Sequence, residues 1–154
     1  DFTPMNLYKI PNIKRATTAA FELSTAVVFL SGIQHYAESP EGMRHVPTGV
    51  KDFLRNLPNN WDDVKLIEAD PGKSFVVARK SGNKWYVAGL NAEQTEKTMN
   101  LDLSFLKGKK GQIIASGEVN NDEPSFAIKD VVVDASGKVN VTLKANDGFV
   151  MVFN

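Results

Sequence analysis

The hydrophobic period of this chain changes once, and that change decides which folds are open to it. Between Ala16 and Gln34, residues Ala16, Ala20, Leu23, Val27 and Leu30 recur at three- and four-residue steps, which places them on one face of a helix. Beyond Trp61 the period is two. Val139, Val141, Leu143 and Ala145 alternate with Lys138, Asn140, Thr142 and Lys144, and Met99, Leu101, Leu103 and Phe105 alternate with Asn100, Asp102 and Ser104. Such alternation marks strands with one wet face. The switch falls between Pro58 and Trp61 and divides the chain into residues 1–60 and 61–154.

The first part reads helix, strand, helix. Phe21, Ala26, Val28 and Phe29 extend the apolar surface beyond a single stripe, so the Ala16 to Leu30 helix is covered on more than one side. The stretch Ala26 to Leu30 is expected to meet both the next strand and the β domain. Ser31-Gly32 breaks the period, Ile33 to Ala37 has the character of a short buried strand, and Glu38 to Gly42 reads as a polar loop. Thr48 stands as an N-cap before Val50, Phe53, Leu54 and Leu57, and Pro58 ends that helix.

In the second part the candidate strands are Val64 to Glu68, Phe75 to Lys80, Lys84 to Leu90, Lys97 to Leu103, Gln112 to Ser116, Phe126 to Val133, Lys138 to Ala145 and Phe149 to Phe153. Ser81-Gly82-Asn83 and Ala135-Ser136-Gly137 sit between them as hairpin turns. About eight short antiparallel strands imply a two-layer sandwich or a barrel, and residues 62–154 are expected to form it autonomously.

Charge and composition exclude several classes. Eighteen basic residues balance 18 acidic ones, so neither part is a nucleic-acid arm or an acidic tail. There is no cysteine for a disulfide, a thiolate metal site or a nucleophile. No apolar run exceeds five residues, Ala26 to Leu30 being one, so no membrane span is expected. The chain opens on Asp1-Phe2-Thr3-Pro4 without a basic leader or signal region, as a piece of something longer would.

Few residues offer chemistry. His45, beside Arg44, reads as a surface residue. His35 follows Ile33-Gln34 and precedes Glu38 and Glu41, as residues at the C-terminal end of a barrel strand do; a partly buried histidine with one hydrogen bond is the plainer reading. Glycosidic hydrolysis needs two carboxyl groups, and pairs occur at Asp62-Asp63, Glu38/Glu41 and Asp122-Glu123. The first suits a linker turn and the last a solvated loop. The glycines form no phosphate loop. Trp61, Trp85 and Tyr86 could stack on sugar rings, although aromatics of a small sandwich more often pack internally. Asn140-Val141-Thr142 matches a glycosylation acceptor, but inside a strand.

Several segments, taken in order, resemble the C-terminal third of glycoside hydrolase family 97. They are Asp1-Phe2-Thr3-Pro4, Thr17-Thr18-Ala19-Ala20-Phe21-Glu22-Leu23, and Ala26 through Glu41; then Phe53-Leu54-Arg55-Asn56-Leu57-Pro58 with Trp61-Asp62-Asp63-Val64-Lys65. Val77 to Gly82, Trp85 to Asn91, and Leu101 to Leu106 continue the likeness. The family comprises α-glucosidases and α-galactosidases, inverting or retaining. Each has an N-terminal β-sandwich, a (β/α)8 barrel with calcium in its active site, and a C-terminal β domain.

The resemblance implies an α+β fragment, the last βα units of a barrel (residues 1–60) followed by an antiparallel β-sandwich of about eight strands (61–154). Asp1 to Pro4 would then be the exit of the seventh barrel strand, Ala16 to Leu30 the seventh helix, Ile33 to Ala37 the eighth strand and Val50 to Leu57 the last helix. The acid/base carboxylates and calcium ligands would precede Asp1, so no catalytic or metal residue is assigned in this chain. Calcium would belong to the parent enzyme and not to this fragment. Asp1, His35 and Glu38 would lie nearest the substrate. The fragment would be structural and inactive. It would partner the rest of the barrel and the N-terminal domain, within a periplasmic or secreted enzyme acting on α-linked oligosaccharides. A carbohydrate-binding module using Trp61, Trp85 or Tyr86 is the rival, and a small complete enzyme using His35 and Glu38 a third reading.

Overall fold

In the structure, a computed structural model describing residues 1–4, 6–118 and 125–154, three helices precede eight strands. The helices are α1 (Ala19–Val28), α2 (Pro40–His45) and α3 (Thr48–Arg55); the strands are β1 (Asp63–Asp70), β2 (Ser74–Ser81), β3 (Lys84–Asn91), β4 (Lys97–Asp102), β5 (Lys110–Ser116), β6 (Phe126–Val132), β7 (Lys138–Leu143) and β8 (Asp147–Phe153). A six-stranded sheet runs β1-β2-β3-β8-β5-β6 and a two-stranded one pairs β4 with β7. Every pairing between these strands is antiparallel.

The central strands of the large sheet are buried on both faces, which is why β3 and β8 read as nearly continuous apolar runs. On one face Val76, Ala78, Val87, Phe149 and Met151 pack against Met99, Leu101, Val141 and Leu143 of the small sheet. On the other, Val77, Tyr86, Ala88, Ile114 and Val150 meet Leu23 and Val27 of α1 and Val50 and Phe53 of α3. The small sheet keeps one wet face, where Asn100 Nδ2 donates to Asn140 Oδ1 at 2.6 Å and the Thr98 and Thr142 hydroxyls meet at 2.9 Å. Asn140, the acceptor of the glycosylation pattern, thus sits in a cross-strand pair.

The first helix is shorter than the apolar period predicts. Thr18 caps it, its hydroxyl accepting from Phe21 N at 3.0 Å, and it ends where Phe29 turns extended. Arg79 of β2 reaches across, donating from Nε to Val27 O at 2.8 Å and from Nη2 to Val28 O at 3.2 Å. Two orphan carbonyls of the last turn are thereby satisfied by a cation. Phe29 and Leu30 lie beyond that cap, 48% and 72% exposed, so the expected burial of Ala26 to Leu30 holds only through Val28.

Other local expectations change for identifiable reasons. Ile33 to Ala37 forms no full strand; it makes a single parallel bridge between Gln34 and Phe2. Phe2 N donates to Ile33 O, His35 N to Phe2 O and Ala37 N to Pro4 O, at 3.0, 3.0 and 3.1 Å. The expected polar loop at Glu38 to Gly42 runs into α2, because Ser39 caps Gly42 N at 2.9 Å and Pro40 supplies a preset φ in the first turn. Pro47, not Thr48, occupies the N-cap position of α3. Phe105 does not extend β4, since Ser104–Leu106 is a 3₁₀ turn that buries Leu106 instead. Gly82 and Gly137 both take positive φ, 57° and 72°. Gly82 closes the β2–β3 hairpin, whereas Ala135 to Gly137 carries the chain from one sheet to the other.

One buried carboxylate ties α1 to both halves of the sheet. Asp147, 2% exposed, accepts on Oδ1 from the Thr18 and Ser116 hydroxyls at 2.6 Å each and from its neighbour Gly148 N at 2.8 Å; Oδ2 accepts from Lys144 N at 3.1 Å. Asp147→Ala strands two half-buried hydroxyls and two amides, and the expected loss is about 3 kcal/mol. Urea unfolding of Asp147→Ala beside Asp147→Asn, which keeps part of the network, measures it.

Candidate functional site

The two segments paired in parallel, 2–4 and 33–37, lie next to the candidate residues Asp1, His35 and Glu38. Glu38 follows the second segment, and its carboxylate gathers the loop after the first. Oε2 accepts from Leu7 N at 2.7 Å and Tyr8 N at 2.9 Å, while Oε1 accepts from Ser39 N at 2.9 Å. Charge-assisted bonds to three amides fix this loop. Gly42 is required by the same group, since a Cβ there would stand 2.0 Å from Glu38 Oε1.

Held this way, Tyr8 lies flat on His45 of α2, with ring centroids 4.2 Å apart and planes 6° from parallel. His45 Nε2 lies 3.5 Å from Glu41 Oε1, and Arg44 Nη1 donates to Glu41 Oε2. His45 is exposed, as expected of a surface residue, and its ring also stacks on Tyr8. Sequence reasoning gave no signal for Tyr8, because the contact depends on Glu38 folding the loop back.

His35 is exposed, and so is Asp1. Neither appears in the hydrogen bonds of Glu38, whose carboxylate is committed to backbone amides. On the other side of the same segment, the Tyr36 hydroxyl is buried without a hydrogen-bond partner among the described residues, and burial pushes its pKa up to about 12. Tyr36 thus remains a neutral phenol at ordinary pH.

The remaining candidates are spread through the sandwich. Trp85 and Tyr86 are consecutive in β3 and so face opposite sides of the sheet. Tyr86 is 3% exposed, donates from its hydroxyl to Asn56 O at 3.1 Å, and receives the edge of Trp61 at 5.3 Å and 72°. Burial raises its pKa as well. Trp85 meets Phe105 edge-on at 4.9 Å and 66°, with Lys65 Nζ 5.9 Å from its centroid. The three rings form no common platform. Asp62 Oδ2 accepts from Gly82 N at 2.7 Å and Asp63 Oδ1 from Val64 N at 2.8 Å, so this pair braces a hairpin and a strand start. Asp122-Glu123 lies outside the described residues.

Among the described residues no three carboxylates or imidazoles converge into a metal site, and no helix is long and apolar enough to cross a membrane.

An antiparallel sandwich whose larger sheet is covered by helices on its second face is the class these features define. Residues 60–154 match the family model described as "Glycosyl-hydrolase 97 C-terminal, oligomerisation". The chain belongs to glycoside hydrolase family 97, and those residues are its C-terminal domain. A probable retaining alpha-galactosidase of Streptomyces bingchenggensis is 39% identical over 89 residues, which is 58% of this chain and 14% of that protein. A retaining alpha-galactosidase of Bacteroides thetaiotaomicron is 24% identical over 137 residues, 87% of this chain and 20% of that protein. Among solved structures, a beta-arabinopyranosidase superposes with a TM-score of 0.80 at 28% identity, over 90% of this chain and 21% of that one. A family 97 enzyme from a Pseudoalteromonas species in complex with acarbose gives 0.77 at 25%, over 90% and 23%. The chain spans less than a quarter of each of these proteins.

Proposed function

We propose that residues 1–60 close the catalytic (β/α)8 barrel, and residues 61–154 cap it with a sandwich, in a glycoside hydrolase that cleaves α-linked galactosyl residues with retention. The family match over residues 60–154 carries this reading. That the two curated relatives named above are called retaining alpha-galactosidases, one of them a probable one, favours galactosides over glucosides.

Three features support the barrel-end part. Two extended segments pair in parallel with a helix between them, the connection that parallel strands require. Ile33, His35 and Ala37 are exposed on one side of the second segment, while Gln34, from the other, donates to Ala26 O at 3.1 Å. Phe2 lies edge-on to Phe29 at 5.1 Å, and Phe29, Leu30 and Ile33 are exposed, apolar surface that neighbouring barrel units would cover. On this reading His35 faces the barrel interior, Glu38 positions the loops at its C-terminal mouth, and calcium and the reacting carboxylates belong to preceding segments. The enzyme would work in the periplasm or outside the cell.

The chain of 154 residues alone is then expected to be inactive. Assays with p-nitrophenyl α-galactoside on the full-length enzyme and on residues 1–154 test this, with turnover expected only from the former. Turnover by residues 1–154 that vanishes in Glu38→Gln or His35→Ala would make this chain an enzyme in its own right.

A further inference from the structure

A pocket of about 620 Å³ opens between segment 9–19 and the ends of β5, β6 and β7, within the roughly 300–1,000 Å³ of small-molecule sites. Its walls carry Lys14 and Lys144, with Lys9, whose Nζ lies 5.8 Å from the Tyr8 ring centroid, and Arg15, whose Nη1 donates to Asn6 O; among the described residues no carboxylate lines it. Two of these cations arrive on a turn built for the purpose. In Ile10-Pro11-Asn12-Ile13, Ile13 N donates to Ile10 O at 3.2 Å and Asn12 takes φ of 63°. Proline presets the first central residue of such a turn and asparagine tolerates the left-handed second. Lys9 and Lys14 therefore flank one closed turn. From across the pocket Lys144 contributes Nζ, 3.4 Å from Gly117 O.

The hydroxyls of the floor are already oriented. Thr18 and Ser116 donate to Asp147, Thr17 donates to Glu22, and Ser125 donates to Glu118 O. With their protons directed elsewhere, these oxygens can offer only lone pairs to a ligand. Ile10 and Ile13 add an apolar wall. Cationic donors, hydroxyl acceptors and an apolar flank complement a molecule with a negative group, hydroxyls to donate and a C–H face.

We propose that this pocket binds an anionic saccharide, a sugar bearing a carboxylate or a phosphate ester. The anionic part rests on the pocket itself, and the saccharide part on the glycosidase reading. Calorimetric titration of residues 1–154 with digalacturonate, galactose 1-phosphate, neutral galactobiose and inorganic phosphate tests both parts. Digalacturonate or galactose 1-phosphate should bind, and the tighter of the two identifies the source of the charge. Galactobiose should bind about tenfold more weakly or worse, the worth of one charge-assisted hydrogen bond, and inorganic phosphate, which keeps the charge but lacks the sugar hydroxyls and C–H face, should bind more weakly than galactose 1-phosphate. Lys14→Ala and Lys144→Ala should each weaken the anionic sugar by a similar factor, added salt should weaken it further, and Lys51→Ala on α3 should change nothing. Equal affinity for galactobiose, or affinity unmoved in both pocket variants, would overturn the site. Inorganic phosphate binding as tightly as the sugar would overturn its saccharide half, and heat from none of the probes would overturn the whole. Turnover of a neutral α-galactoside by the full-length enzyme is read separately, so that reading stands or falls alone.

Discussion

A carboxylate placed at Val27 lowers the melting temperature by about 10–20 °C, while the same change at Leu30 leaves it nearly where it was. Val27 is 1% exposed beneath the sheet, and Leu30 is 72% exposed beyond the end of the helix. In Val27→Asp the chain loses the burial of a valine, worth about 1.5–3 kcal/mol, and must also bury a carboxyl among Tyr86, Ala88 and Val150, which adds a few kcal/mol more. The sum, on the order of 5 kcal/mol, rivals the whole stability of many domains. The introduced acid would have its pKa raised by burial. Its penalty is therefore smallest below the unfolded carboxyl pKa and grows as pH rises through the folded one, so Val27→Asp should be less destabilised at pH 4 than at pH 7. Calorimetric melts at the two pH values check both statements, and a Leu30→Asp drop as large as that of Val27→Asp would show that the end of α1 is wrongly understood.

That contrast marks where the sequence stops being informative. Ala16 to Leu30 has one unbroken apolar period, yet the helix occupies only Ala19–Val28. Its start is set by the Thr18 cap and its end by Arg79, more than fifty residues away. Local spacing carries no trace of a cap supplied by another strand. Strands fared better because alternation is a local signal: all eight are found, with ends shifted by at most a few residues. What alternation could not convey was the second cover of the large sheet. Val77, Tyr86 and Val150 face helices, and Val76, Val87 and Met151 face the small sheet, so those strands look apolar throughout and their partition into two cores appears only in three dimensions.

The candidate site follows the same rule. His35 and Glu38 could be singled out because they follow an apolar segment and open a polar one. Glu38 proves to hold backbone amides, and the ring that its clamp positions, Tyr8, lies in a segment without periodicity. Ser39-Pro40-Glu41 was a readable helix start, with cap, proline and first-turn acid in order. A helix of six residues is too short to leave a periodic signature. Trp61 and Tyr86, adjacent in space across 25 residues of sequence, show why aromatic composition alone says little about a sugar platform.

Residues 61–154 expressed alone should keep their β circular-dichroism signal and yet fail to behave as a soluble monomer. The core between the two sheets lies wholly within that segment, so antiparallel pairing and the small-sheet packing can form. The other face loses its cover. Val77, Tyr86, Ala88, Leu90, Ile114 and Val150 are buried against Leu7, Leu23, Val27, Val28, Val50 and Phe53, all of which the cut removes. Re-exposing six apolar side chains costs on the order of 10 kcal/mol as an upper figure, and leaves a contiguous apolar surface of the kind that drives association. The cut also removes Thr18 from Asp147 and the backbone carbonyls that receive Arg79. Size-exclusion chromatography should show large or self-associated species that bind a hydrophobic dye, and refolding together with residues 1–60 should suppress both. A monomeric fragment that melts cooperatively and binds no dye would show that the sandwich is autonomous, and that the helices are cover it can do without.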